Sequence, residues 1–137
     1  MAVQWTPDLS VGVNEIDNQH KELFSRVNAL LDAMVQGLGK FHLDKTINFL
    51  GEYVVSHFGT EEKYMKQLNY PRYASHKIEH DAFVKQFGQL KKTLDNGEIT
   101  TVTVIQVQRQ LMDWLKNHIG NVDKALGAFL NTDRKAA

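Results

Sequence analysis

In four stretches of this chain apolar residues recur every three or four positions, and each of the four stripes so formed carries a histidine. That period is the period of one face of an α-helix, so the stretches predict amphipathic helices. The first covers about residues 17–38, with Leu23, Phe24, Val27, Leu30, Leu31, Met34 and Leu38 on its stripe, Asp17 as N-cap, and Gly37 and Gly39 at its end. The second covers about 41–66, with Leu43, Ile47, Leu50, Val54, His57, Glu61 and Met65 on one face. The third, about 73–94, carries His76, His80, Phe83, Phe87, Leu90 and Leu94, and Asn96-Gly97 ends it. The fourth, about 101–131, turns Val104, Val107, Leu111, Trp114, His118 and Val122 inward.

The breaks between the stretches are short, which makes neighbouring helices antiparallel. Leu68-Asn69-Tyr70-Pro71-Arg72 is the clearest turn, because Pro71 lacks the N–H that a helix interior needs. The expected fold is therefore all-α: an up-down-up-down four-helix bundle forming one domain over residues 1–137, its helices crossing at roughly 20°. Residues 1–16 hold Trp5, Leu9, Val11, Val13 and Ile16 but also Pro7 and Gly12, and read as an extended arm packed on the bundle.

Composition narrows the function. Sixteen Lys+Arg balance 16 Asp+Glu, so nothing in the charge calls for nucleic acid or an anionic membrane. No apolar run approaches the ~20 residues of a membrane span. The first ten residues lack the basic and apolar regions of a secretory signal, which makes the cytoplasm the expected compartment. With no cysteine, disulfides and thiolate metal sites are excluded, and any transition-metal site must use imidazole and carboxylate.

The six histidines become informative once placed on the helices. His57 and Glu61, and likewise His76 and His80, are four apart on core-facing stripes, where two side chains can reach a common ion. His118 follows Trp114 by four, and His20 opens the stripe continued by Leu23 and Phe24. In an alternating bundle, an early position in the first and third helices and a late one in the second and fourth lie at the same end. His20, His57, His76, His80 and His118 therefore converge at one level. His42, at the start of the second helix, falls at the opposite end and reads as a surface or first-turn residue. An unpartnered imidazole in an apolar core costs roughly 1–3 kcal/mol, and several protonated ones would repel; metal coordination removes both costs. Asp123, five residues after His118, is ~140° around a regular helix and on periodicity reads as readily as a surface carboxylate.

The set His20, His57-Phe58-Gly59-Thr60-Glu61, His76-Lys77-Ile78-Glu79-His80 and His118 through Asp123 resembles the hemerythrins, most closely the single-domain bacterial ones. The resemblance extends to Ile16-Asp17-Asn18-Gln19-His20 and to Asn69-Tyr70-Pro71. It implies two iron ions joined by an oxo or hydroxo bridge, one held by His76, His80 and His118, the other by His20 and His57, with Glu61 and Asp123 bridging. Glu62, a further ~100° around the helix, then reads as a solvated charge. For Asp123 to bridge, the helix must widen between His118 and Asp123 into a π-type turn, which Gly120 would ease.

Under that assignment two six-coordinate irons keep one open position, on the iron with two histidines, where dioxygen can enter. The resemblance implies reversible binding with the gas held there as hydroperoxide, serving carriage, storage or sensing, with no catalytic side chain. A di-iron peroxidase or oxidase using the same centre is the alternative, and metal handling without gas chemistry a third. Related bundle enzymes carry more carboxylates; the predominance of neutral imidazole here favours binding. Leu23, Phe58, Trp114, Leu115 and Ile119, within a turn of the ligands, are the expected walls of a dry gas pocket. Dioxygen is the expected partner, with no nucleic acid or membrane, and the sequence leaves a protein partner open.

Overall fold

The computed structural model describes residues 4–37, 40–96 and 99–136. Its helices are α1 (Asn14–Gln36), α2 (Lys40–Gln67), α3 (Tyr73–Asn96), α4 (Thr101–Asn117) and α5 (Lys124–Ala136), with a π-helical segment, His118–Asp123, joining α4 to α5. Counting α4, the π segment and α5 as one rod gives the four-helix bundle, and no strand occurs among the described residues. α1 packs on α2 and α4, and α2 on α3. None of the described helices is long and apolar enough to cross a membrane.

Each helix ends for a local reason. α1 stops at Gly37, whose φ of 61° is the left-handed conformation that glycine adopts without strain. The end of α2 is a Schellman motif: Asn69 has φ 55°, Tyr70 N donates to Met65 O at 2.9 Å, and Asn69 N to Lys66 O at 3.4 Å. α4 starts on a capping box, with Thr103 N donating to Thr100 Oγ1 and Thr100 N to Thr103 Oγ1, each at 3.2 Å. Leu38, Gly39 and Gly97, expected at helix ends, lie outside the described residues.

The stripes form the core. Every expected inward residue of α1 from Leu23 to Met34 and of α2 from Leu43 to Met65 is buried. On α3 and α4, Phe87 and Trp114 are half-buried and the rest are buried, apart from Val122.

Three expectations need correction. The first helix begins at Asn14, not Asp17, and the N-cap position is Val13. Asp17 caps backwards instead: its carboxylate accepts from Val11 N at 2.8 Å and from Ser10 Oγ at 2.6 Å, outside the helix. That tie also shapes the arm, which is shorter than residues 1–16 and includes a 3₁₀ turn at Pro7–Leu9, with Leu9, Val11, Val13 and Ile16 buried. Val122 is only half-buried, because the π segment holds an extra residue per turn and brings Asp123 round to the core face in its place.

Candidate metal centre

The bundle brings His20 from α1, His57 and Glu61 from α2, His76 and His80 from α3, and His118 and Asp123 from the π segment to one end. All seven are at most 2 % exposed. Their donor atoms fall into two groups: Glu61, His76, His80, His118 and Asp123 form one, and His20, His57, Glu61 and Asp123 the other. Both carboxylates belong to both groups. His42 is exposed, away from this cluster.

The contacts inside the cluster are close but are not hydrogen bonds. Nε2 of His20, His76 and His80 lies 3.0 Å from a carboxylate oxygen of Asp123, Asp123 and Glu61 respectively, and His118 Nε2 lies 3.1 Å from Asp123. Yet ten buried nitrogen and oxygen atoms of these side chains have no hydrogen-bond partner. The donor atoms of each group lie within 4.8 Å of one another, so their lone pairs can meet at a shared point. A separation of 3.0 Å is roughly the spacing of neighbouring donors that each sit ~2.1 Å from one ion. Buried polar atoms are almost always satisfied, and these donors fit a pair of metal ions.

The outer nitrogens show a second order. His57 Nδ1 meets Gln19 Oε1 at 2.7 Å, His80 Nδ1 meets Glu62 Oε2 at 3.0 Å, and His118 Nδ1 meets Glu79 Oε1 at 2.9 Å. Each partner flanks a cluster residue in sequence but serves the next helix: Gln19 beside His20, Glu62 beside Glu61, Glu79 beside His80. Glu62 is thus not the solvated charge expected from its helical angle; it is 18 % exposed and also binds Lys77 at 3.2 Å. Gln19 and Glu79 were not anticipated. A polar residue immediately beside a core histidine is the signal that could have found them.

Ring stacking fixes the imidazoles further. Phe58 lies on His80 with centroids 3.8 Å apart and planes 5° from parallel, and Trp114 on His118 at 4.3 Å and 13°.

The environment sets protonation. Burial, with the neighbouring His20, pulls His57 down to about 3. Burial, with His76 and His118, pulls His80 down to about 2. Both rings are therefore neutral, the form that donates to a metal. For His118 burial acts downward, but the charge of Asp123 outweighs it and the net shift is upward. Burial and then the charge of Asp123 push Glu61 well above the usual carboxylate range. Burial acts upward on Asp123 too, yet His118, His20 and His76 around it hold it well below.

Beside the cluster, Leu23, Val27, Leu50, Val54, Phe58, Phe83, Leu111, Trp114 and Leu115 enclose an apolar cavity with ≈ 10 Å³ open to the centre of a water-sized sphere. That is on the order of one water or one diatomic gas molecule. Leu23, Phe58, Trp114 and Leu115 were expected there; Ile119 is buried at 1 % but is not among the lining side chains. The predicted widening between His118 and Asp123 is present as the π segment. Nothing lies within 4 Å of where a Cβ on Gly120 would sit, so space does not require glycine there.

Residues 11–130 match the model of the hemerythrin HHE cation binding domain. The chain is 37 % identical over 128 residues to a bacteriohemerythrin of Methylococcus capsulatus, covering 93 % of this chain and 95 % of that one. It is 34 % identical over 119 residues to a bacteriohemerythrin of Pseudomonas aeruginosa, covering 87 % and 75 %. A solved wild-type hemerythrin matches with TM-score 0.81 and 35 % identity, over 93 % of this chain and 97 % of that one.

Proposed function

This chain belongs to the hemerythrin family, and on that premise we propose that it binds dioxygen reversibly at a di-iron centre. His76, His80 and His118 would hold one iron and His20 and His57 the other, with Glu61 and Asp123 shared between them. The observation that carries this reading is the pair of donor groups sharing both carboxylates, with their converging atoms buried and otherwise unsatisfied. Two ferrous ions held by these residues would supply the two electrons that reversible binding of dioxygen needs.

The protein's own residues account for the rest. The apolar cavity lies within a turn of ligands of both groups: Leu23 follows His20 and Val54 precedes His57, while Phe58 stacks on His80 and Trp114 on His118. The gas therefore meets a dry wall, which withholds the water and protons that would convert reversible binding into oxidation. Glu62 and Glu79 accept from His80 and His118 as carboxylates, which raises the basicity of those rings, whereas His57 has only the neutral amide of Gln19. The two halves of the centre thus receive different electronic support. Five imidazoles against two carboxylates is a ligand set of low negative charge, and none of the described side chains that line the cavity is an acid or a base. Both features favour binding over turnover of a substrate.

The test is an oxygen titration. Iron is counted, the loaded protein is reduced without air, and dioxygen is admitted and withdrawn while the visible spectrum is recorded. A band that appears and disappears with the gas at two irons per chain is the expected result. One-way oxidation accompanied by catalytic consumption of added hydrogen peroxide would instead establish the enzyme reading. Leu115→Ala, which opens the wall of the cavity, should speed loss of the oxygenated spectrum several-fold in air. An unchanged decay rate removes the barrier role from Leu115.

A further inference from the structure

Each of the three outer hydrogen bonds on the cluster needs its imidazole in one tautomer. With Nε2 given to a metal, as in the reading above on which this inference rests, the neutral ring carries its proton on Nδ1 and must donate there. For His80 and His118 the partner settles this by itself, because the carboxylates of Glu62 and Glu79 only accept. His57 is different. Its partner, at 2.7 Å, is the side-chain amide of Gln19, which accepts through its oxygen but donates when turned over. Burial keeps the His57 ring neutral, so both tautomers are open to it. A donating amide would select the one with a bare Nδ1 and put the ring proton on Nε2, against the metal. The direction of the amide therefore has to be held from outside.

Thr60 supplies that hold. Gln19 Nε2 lies 3.3 Å from Thr60 Oγ1. Thr60 has one hydroxyl proton, and it goes to the carbonyl oxygen of Ser56 at 3.2 Å, one turn back on α2. A threonine within a helix commonly makes this bond, which lies inside one element and does not depend on the metal. With its proton so committed, Oγ1 can only accept. The NH₂ of Gln19 must then point at Thr60 and its oxygen at His57. Donation runs one way through the whole relay, from the His57 ring to Gln19, from Gln19 to Thr60, and from Thr60 to Ser56 O. Reversing it requires Thr60 to leave Ser56 O and donate to Gln19. The relay joins two helices, with Gln19 on α1 and the other three residues on α2, and both Gln19 and Thr60 are half-buried.

We infer that Thr60 is a positioning residue for the iron assigned to His20 and His57: its hydroxyl fixes the Gln19 amide, and the amide fixes which nitrogen of His57 is free for the metal. Glu62 and Glu79 need no such help, so the device is confined to one half of the centre. It orients His57 without placing a negative charge behind the ring.

The test compares Thr60→Val with the parent, both loaded and their iron counted, by anaerobic competition of the ferrous protein with a ferrous chelator. Valine has a similar shape but no hydroxyl, so the amide is released to turn. One of the two irons should be lost about tenfold more readily, while the other keeps its parental affinity. Thr60→Ser should restore the parental behaviour. Gln19→Glu replaces the amide with a carboxylate, which only accepts, and in that background Thr60→Val should change nothing. A second readout uses the zinc-loaded protein, which is diamagnetic. Exchange of the His57 Nδ1–H with solvent, followed by NMR, should speed up several-fold in Thr60→Val, while the same protons of His80 and His118 keep their rates. Parental iron affinity or an unchanged His57 exchange rate in Thr60→Val overturns the role of Thr60, and the metal reading stands. Equal weakening of both irons, or the same weakening in the Gln19→Glu background, overturns it too, because a merely structural hydroxyl would behave so. Should the parent fail to take up two irons, the metal reading falls, and the relay with it.

Discussion

Stripping iron from the loaded protein should lower its midpoint of thermal unfolding by at least about 15 °C at pH 7. Without metal, eight buried atoms that face the ions (Nε2 of His20, His76, His80 and His118 and the four oxygens of Glu61 and Asp123) are left without hydrogen bonds, and each such atom costs roughly 1–3 kcal/mol unless the structure relaxes around it. Even partial relief of these costs by the two ions amounts to roughly 5 kcal/mol or more, and for a chain of this size each kcal/mol moves the midpoint by roughly 3 °C. The metal-free protein should also be acid-sensitive in a particular way. His57 and His80 titrate at about 3 and about 2 when folded but near 6.5 when unfolded. Below pH 6.5 the unfolded chain therefore binds two more protons at these sites, and stability falls with pH. Glu61 acts oppositely: its raised folded pKa favours the folded state as pH falls toward 4.5, its ordinary value. His118, also raised, gains its stabilisation as pH falls to 6.5, keeps it in full below and adds no slope there. Between pH 6.5 and 4.5 the two protons that the unfolded chain takes up at His57 and His80 outnumber the one that Glu61 can take up in the folded protein, so stability falls on acidification. Below 4.5 the opposing contribution of Glu61 ends, and below 3.8 the depressed Asp123 adds to the loss, so the slope steepens. Calorimetry of chelated protein at several pH values measures both effects. A metal-free midpoint within a few degrees of the loaded one, or a rise on acidification from 6.5 to 4.5, would refute the account.

Much of this site is readable without coordinates because it obeys helical arithmetic. A spacing of four puts His57 with Glu61 and His76 with His80 on one face each, and alternation of helix direction brings His20 and His118 to the same level. The step from His118 to Asp123 breaks that arithmetic. It is legible only when a resemblance says that both must reach the centre, and the π segment is the backbone's solution. Val122 was read inward for the same reason: a regular period applied across an irregular turn. The outer partners escaped because they depend on tertiary placement. Gln19 and His57 are 38 residues apart, Glu62 and His80 are 18, and Glu79 and His118 are 39. No periodicity within one helix can pair them. Asp17 misled in a different way, since an aspartate before an apolar run usually caps the helix it precedes, and here it caps the segment behind it.

The arm held by Asp17 gives the second large effect: Gly127→Ala should destabilise the protein by roughly 3 kcal/mol or more. Gly127 is buried on α5 directly beneath the arm. A Cβ there would overlap the carbonyl oxygen of Val11 and lie 2.9 Å from both its carbonyl carbon and its Cβ. Because the obstacle is backbone, no side-chain rotation relieves it. The arm cannot withdraw cheaply either. Val11 N is fixed to Asp17 at 2.8 Å, and Leu9, Val11 and Val13 are at most 8 % exposed; lifting one such side chain into water costs roughly 1.5–3 kcal/mol. The helical preference for alanine over glycine, about 1 kcal/mol, offsets only part of this. Gly88→Ala isolates that preference, for Gly88 is exposed on α3 with nothing within 4 Å of its would-be Cβ, and it should stabilise by about 0.5–1 kcal/mol. Thermal unfolding of both variants, with hydrogen exchange followed at the Val11 and Val13 amides, separates the two contributions. Exchange at those amides should rise in Gly127→Ala and stay at the parental rate in Gly88→Ala. If Gly127→Ala melts within 2–3 °C of the parent, a shift worth only about 1 kcal/mol, the arm gives way without loss and its packing on α5 contributes little.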